Sequence, residues 1–92
     1  MIHTFKCADT EALFNSKKVS RFMDIEEVAR RKLLQLHATT ELNSLKVPPD
    51  NRLKELTGTR EKQHSICIND QWHVCFEWRS EGAHDVEIVD SH

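Results

Sequence analysis

The sequence predicts an α/β (α+β) chain: two N-terminal helices packed on one face of a mainly antiparallel sheet of four to five strands. Three observations carry that expectation. Trp72, Val74, Phe76 and Trp78 alternate strictly with Gln71, His73, Cys75 and Glu77, the pattern of a half-buried strand. Ile66 and Ile68 alternate with Ser65 and Cys67 just before it, and Asn69-Asp70-Gln71 has turn chemistry between them. Upstream, Ile25, Val28, Ala29, Leu33 and Leu36 return at helical spacing.

Taken in order, Ile2 to Phe5 reads as a short first strand. Ala8 to Asn15 reads as a short helix with Asp9, Thr10 and Glu11 in its first turn. Ser16 to Phe22 is a basic connection. Asp24-Ile-Glu-Glu27 is a capping-box arrangement, so the main helix should start at Asp24 and end near His37 or Ala38. Thr39 to Asp50 is a connector with room for one more turn around Leu42 and Leu45. Pro48-Pro49 stops it, and Asn51 to Leu56 is a short or irregular strand. Thr57-Gly-Thr59 is a turn. After the hairpin comes a Ser80-Glu-Gly-Ala83 turn and a strand from His84 to about Asp90, with Val86 and Ile88 facing the core.

The hairpin register follows from its faces. Directly opposed residues of an antiparallel pair share a face. A two-residue turn would set Ile68 against Gln71 and place the isoleucines on the polar side. A three-residue loop, 69 to 71, pairs Ile68 with Trp72, Ile66 with Val74 and His64 with Phe76. The same register sets Cys67 opposite His73 and Ser65 opposite Cys75.

Ninety-two residues make a single domain, 1–92. With 38% hydrophobic and 30% charged residues the composition is globular rather than disordered. No apolar run approaches a membrane span, and the first residues lack the apolar core of a signal peptide. Three cysteines without a scaffold spacing point to reduced thiols and a cytoplasmic protein. The net charge of −2 disfavours a strongly basic nucleic-acid binder, but the charge is uneven. Residues 17–32 carry six cations against three carboxylates, whereas residues 80–92 carry four carboxylates and no cation.

Four groups of residues could carry chemistry. Cys67, His73 and Cys75 could ligate zinc, but a fourth ligand and paired Cys-x-x-Cys motifs are missing. The plainer reading is two small residues beside a histidine, and no metal is expected. Cys67 as nucleophile with His73 as base lacks a recognisable third group. Asp90-Ser91-His92 holds an imidazole beside carboxylates, which favours its charged form, although a terminal histidine is more often frayed. Arg52, Lys54, Arg60, Lys62 and His64 could hold a phosphodiester. The interleaved Asp50, Glu55 and Glu61 make a solvated face the plainer reading of that set.

Several stretches also resemble a family. Met1-Ile-His-Thr-Phe-Lys6, Ala8-Asp-Thr-Glu-Ala-Leu-Phe14, Arg52-Leu-Lys-Glu-Leu-Thr-Gly58, the Gln63–Trp78 block and the Val86–Asp90 tail with His92 are similar to the HigB toxins. These are a branch of the RelE-like superfamily, also called plasmid-maintenance killer proteins. The resemblance runs over essentially the whole chain and implies the compact RelE-like fold. It further implies a cytoplasmic toxin of a type II toxin–antitoxin system, an mRNA interferase that cuts messages in the A site of the 70S ribosome. The chemistry would be metal-free and need no cofactor: a 2′-hydroxyl attacks the adjacent phosphorus and leaves a 2′,3′-cyclic phosphate. A helix-turn-helix antitoxin would neutralise the toxin, which would meet operator DNA only through that partner and would touch no membrane.

Position by position, Asp90 and His92 match the family's terminal acidic and histidine residues, and Lys54 falls at a basic functional position. The resemblance therefore implies His92, Asp90, His73 and Lys54 as the catalytic set. Arg52, Arg60, Lys62, His64 and Ser91 would contact RNA or phosphate. Four positions depart. Thr57 stands where lysine is frequent, Cys67 and His73 where arginine is frequent, and Ser91 where tyrosine is usual. An imidazole, unlike a guanidinium, loses its charge near neutral pH. The departures leave two alternatives: a nuclease in which His73 and His92 share the proton transfers, or a catalytically attenuated member whose main role is binding the antitoxin and co-regulating the operon.

Overall fold

The computed structural model describes residues 1–56 and 63–90. Its elements are helix α1 (Ala8–Phe14), helix α2 (Glu26–Ala38) and strands β1 (Lys54–Leu56), β2 (Gln63–Cys67), β3 (Trp72–Arg79) and β4 (Gly82–Asp90). The strands form one antiparallel sheet in the order β1-β2-β3-β4. Both helices lie on one side of it. Leu13, Phe22, Leu33, Leu36 and Leu45 pack there against Ile66, Val74, Phe76, Val86 and Ile88. This is the two-layer α+β architecture that a sheet with one apolar face requires. Among the described residues no helix is long and apolar enough to cross a membrane.

The β2–β3 register is the one that sequence alternation demands. His64 faces Phe76, Ser65 faces Cys75, Ile66 faces Val74 and Cys67 faces His73. The Ile68 N–H donates to the Trp72 carbonyl at 2.9 Å, which closes the three-residue loop. Asn69 holds the loop from inside: its Oδ1 accepts from the N–H groups of Gln71 and Trp72, both at 2.8 Å.

Other expectations are corrected. The Ile2–Phe5 strand is reduced to two isolated bridges, Ile2 to Ala83 and Phe5 to Val86, running parallel to β4. A bulge explains the interruption, because the β3–β4 register shifts by one residue after Cys75–Glu87, and Asp85 takes a φ of 53°. The last strand begins at Gly82, not His84, because Ser80 and Glu81 alone make the turn, with φ of 52° and 57°. A Cβ on Gly82 would meet the His3 ring and lie 2.8 Å from the Met1 carbonyl, so only glycine admits the N-terminal segment. Asp24 does not cap the main helix. A 3₁₀ turn, Ser20–Ile25, runs directly into α2, whose N-cap position is Ile25 with no side-chain cap. Two apolar anchors decide this, since Phe22 and Ile25 are both buried by that turn. The Thr57-Gly-Thr59 turn lies outside the described residues.

Lys32 is not part of a basic surface, although its position in the 17–32 stretch suggested one. It is 5% exposed, and its Nζ donates to Asn51 Oδ1 and lies 3.7 Å from Asp50 Oδ1. Asn51 is fully buried, and its Nδ2 donates to Gln35 Oε1 at 3.1 Å and to the Leu45 carbonyl at 3.0 Å. This junction ties α2 to the connector and fixes where β1 begins. Replacing Asn51 by Ala removes one of the two partners of a buried ammonium and is expected to destabilise the protein by about 2 kcal/mol. A matched shift of the urea midpoint at unchanged slope would measure it, and a midpoint within error of wild type would count against the junction.

Candidate functional site

Strand alternation gives the sheet a second face, away from the helices. From β1 it presents Lys54 and Leu56, from β2 Ser65 and Cys67, from β3 His73 and Cys75, and from β4 Glu87 and Val89. A hollow of about 400 Å³ opens there, lined by Arg52, Lys54, Ser65, Cys67, His73 and Cys75. Leu56 and Val89 add its apolar parts. Arg52 comes from the junction beneath. Asn51 is drawn inward, and Arg52 then takes a left-handed φ of 49° with its N–H on the Pro49 carbonyl at 3.1 Å. The buried junction thus delivers one cation to the rim, and two residues later β1 delivers Lys54.

Around the hollow the structure brings together Arg52, Lys54 and His73 from the set that the resemblance implies, with Cys67 and Cys75 beside them. It separates two others from them. His64 pairs with Phe76, and its ring lies 6.1 Å from the phenyl ring on the helix-facing side. It is 6% exposed, its Nε2 lies 4.0 Å from Glu55 Oε2, and its Nδ1 has no hydrogen-bond partner among the described residues. The cause is the three-residue loop itself, since a register that buries Ile66 buries His64 with it. Asp90 pairs with Trp72, one step beyond the His73–Val89 pair and so on the alternate face. Its Oδ2 accepts from Gln71 Nε2 at 2.9 Å. Arg60, Lys62, Ser91 and His92 lie outside the described residues.

Cys67 and Cys75 are free thiols, as is Cys7. Cys67 and His73 share the hollow, but among the described residues no three His, Cys, Asp or Glu side chains are grouped to hold a metal ion. The Cys67 Sγ is 3.0 Å from the Asn69 carbonyl, to which its S–H donates. Burial first, and then the Glu87 carboxylate, push the Cys75 thiol up from its ordinary pKa. Cys7 moves the other way. Burial raises it, but hydrogen bonds from Thr10 and Asp9 and the charge of Arg21 outweigh that and lower it overall.

A smaller hollow of about 180 Å³ adjoins the first at Cys75, with Lys6, Gln63, Asp85 and Glu87 around it. Glu87 and Lys6 form an ion pair at 3.6 Å. The sequence reading sets Val86 and Ile88 toward the core and gives Glu87 and Val89 no role. The signal that would have found them is the strand period, extended from His73 across the second hairpin.

Chemically, the larger hollow sets a guanidinium and an ammonium opposite an imidazole on a shallow, open floor. That combination suits an oxyanion, and a phosphodiester in particular. Two helices on a four-stranded antiparallel sheet make an α+β fold consistent with the RelE-like toxins. A family model described as the RelE-like toxin HigB of type II toxin–antitoxin systems matches residues 4–92, and the chain belongs to that family. It is similar to Toxin HigB-1 of Vibrio cholerae serotype O1, 33% identical over 76 residues that cover 80% of each chain.

The thiol environments predict an order of reactivity. In native protein near neutral pH, iodoacetamide should label Cys7 well before Cys75, because only the thiolate attacks and Cys75 is held protonated. Peptide mass spectrometry over a time course checks this, and equal rates would contradict the electrostatic description of the hollow.

Proposed function

We propose that this toxin is a ribosome-dependent mRNA interferase whose open sheet face holds the scissile phosphate. The observation that carries the reading is the convergence of Arg52, Lys54 and His73 on one hollow. Arg52 and Lys54 would neutralise the phosphate, and His73 would donate to the developing phosphorane in the place of an arginine. His92, with Asp90 orienting it, would share the proton transfers. No metal is needed, because the nucleophile is the substrate's own 2′-hydroxyl. Membership of a toxin–antitoxin family implies an antitoxin partner. A helix-turn-helix antitoxin would both silence the toxin and carry it to operator DNA.

Tight induction of the chain in bacteria is expected to arrest growth, with cuts appearing only in translated messages. Lys54→Ala and His73→Ala should each slow cleavage by about 10²-fold, the usual cost of one transition-state donor. Normal growth on induction, with the protein shown to be present, would overturn the nuclease reading.

A second reading rests on the thiol of Cys67, which bonds to Asn69 on the floor of the hollow and brings no cation there. It makes this chain an attenuated family member kept for antitoxin binding. Combining His73→Arg with Ser91→Tyr should then confer toxicity that the natural chain lacks. A double variant no more toxic than wild type would rule it out.

A further inference from the structure

Attack by a 2′-hydroxyl needs a group to take its proton as well as cations to hold the phosphate. Asp90 lies on the alternate face, opposite Trp72. Three carboxylates lie along the open side near the hollows. Glu77 is 6% exposed and accepts from Arg79 Nε at 2.7 Å. Asp85 sits in the bulge and accepts from Thr4 Oγ1 at 3.4 Å. Glu87 is half-buried, stands directly opposite Cys75, and borders the smaller hollow where it meets the larger one. His73 is two residues from Cys75 on β3 and on the same face as Glu87. Such diagonal neighbours have Cα atoms roughly 7–8 Å apart. That span leaves room for a sugar–phosphate between a carboxylate and an imidazole. The upward push on the Cys75 thiol, from burial and then from Glu87, is an additional sign that this charge faces the hollows.

We propose that Glu87 is the general base of the open-face site, taking the proton from the 2′-hydroxyl of the nucleotide whose 3′-phosphate rests among Arg52, Lys54 and His73. The assignment rests on the nuclease reading above and revises how that reading shares the proton transfers: Glu87 takes the 2′ proton in place of His92, and His73 keeps the other. As the O2′–P bond forms, the 2′ proton passes to the Glu87 carboxylate. As the P–O5′ bond breaks, the leaving O5′ takes a proton from the His73 imidazolium. The products are a 2′,3′-cyclic phosphate and a 5′-hydroxyl, and exchange with water restores both side chains. Lys6 from the N-terminal segment, Cys75 and His73 from β3, Gln63 from β2 and Asp85 on its own strand are the groups around the carboxylate.

The test is single-turnover cleavage of a short mRNA on 70S ribosomes by purified protein. Glu87→Gln should lower the rate by about 10²- to 10³-fold. Glu87→Asp, which keeps a carboxylate, should recover much of that loss. Glu87→Gln should also speed alkylation of Cys75, a readout independent of cleavage. A Glu87→Gln protein with the wild-type rate overturns the assignment and leaves the nuclease reading standing. The same holds if Glu87→Asp is as slow as Glu87→Gln while both fold like wild type. A wild-type chain that cuts no ribosome-bound mRNA removes the nuclease reading, and the assignment with it.

Discussion

A loop one residue shorter between Ile68 and Trp72 would turn the sheet inside out. With three residues there, Ile66 meets Val74 and both enter the core, so Cys67, His73, Ser65 and Cys75 must face the other way. The helices cover the apolar side, and on the polar side His73 and Cys75 stay partly exposed while Ser65 and Cys67 are buried. The open hollow is therefore a by-product of burying a few isoleucines, valines and phenylalanines. The free energy of that burial, on the order of 2 kcal/mol for each large side chain, holds the candidate site residues in place.

The second constraint is polar. A buried lysine is costly unless its charge is met, and Lys32 is met by Asn51 and Asp50. Asn51 in turn spends both amide hydrogens on Gln35 and on main-chain carbonyls. Because that residue is locked, the next one leaves the interior with a left-handed backbone, and Arg52 and Lys54 reach the rim of the hollow. The hairpin sets one wall of the site, and this junction, well upstream of the loop in sequence, sets the other.

Much of this was legible in the residues. Period 2 across Trp72–Trp78 gave the faces, the core alternation gave the loop length, and Val86 and Ile88 were correctly turned inward. What escaped did so for identifiable reasons. Phe22 looks like part of a basic connection and Lys32 like one more surface cation of the main helix, and only tertiary packing buries them. Asp24 satisfies a capping pattern, yet the chain enters α2 through a 3₁₀ turn held by Phe22 and Ile25. His64 reads as one more cation until register assigns it to the core side. Local patterns report which residues share a face; they are silent on which distant residue fills the space above it. The family resemblance supplied Asp90, yet strand alternation alone would have shown it out of step with His73.

The parallel bridges of Ile2 and Phe5 have a consequence in colloidal terms. An uncovered β4 would offer nine residues of unpaired backbone to any passing strand. Instead, Met1 to Lys6 exchange hydrogen bonds with Ala83 and Val86 and close that margin. At the opposite margin, β1 is described for only three residues, two of them the charged Lys54 and Glu55. Charged residues at an edge and a covered edge are both ways in which a small β-rich protein discourages strand addition.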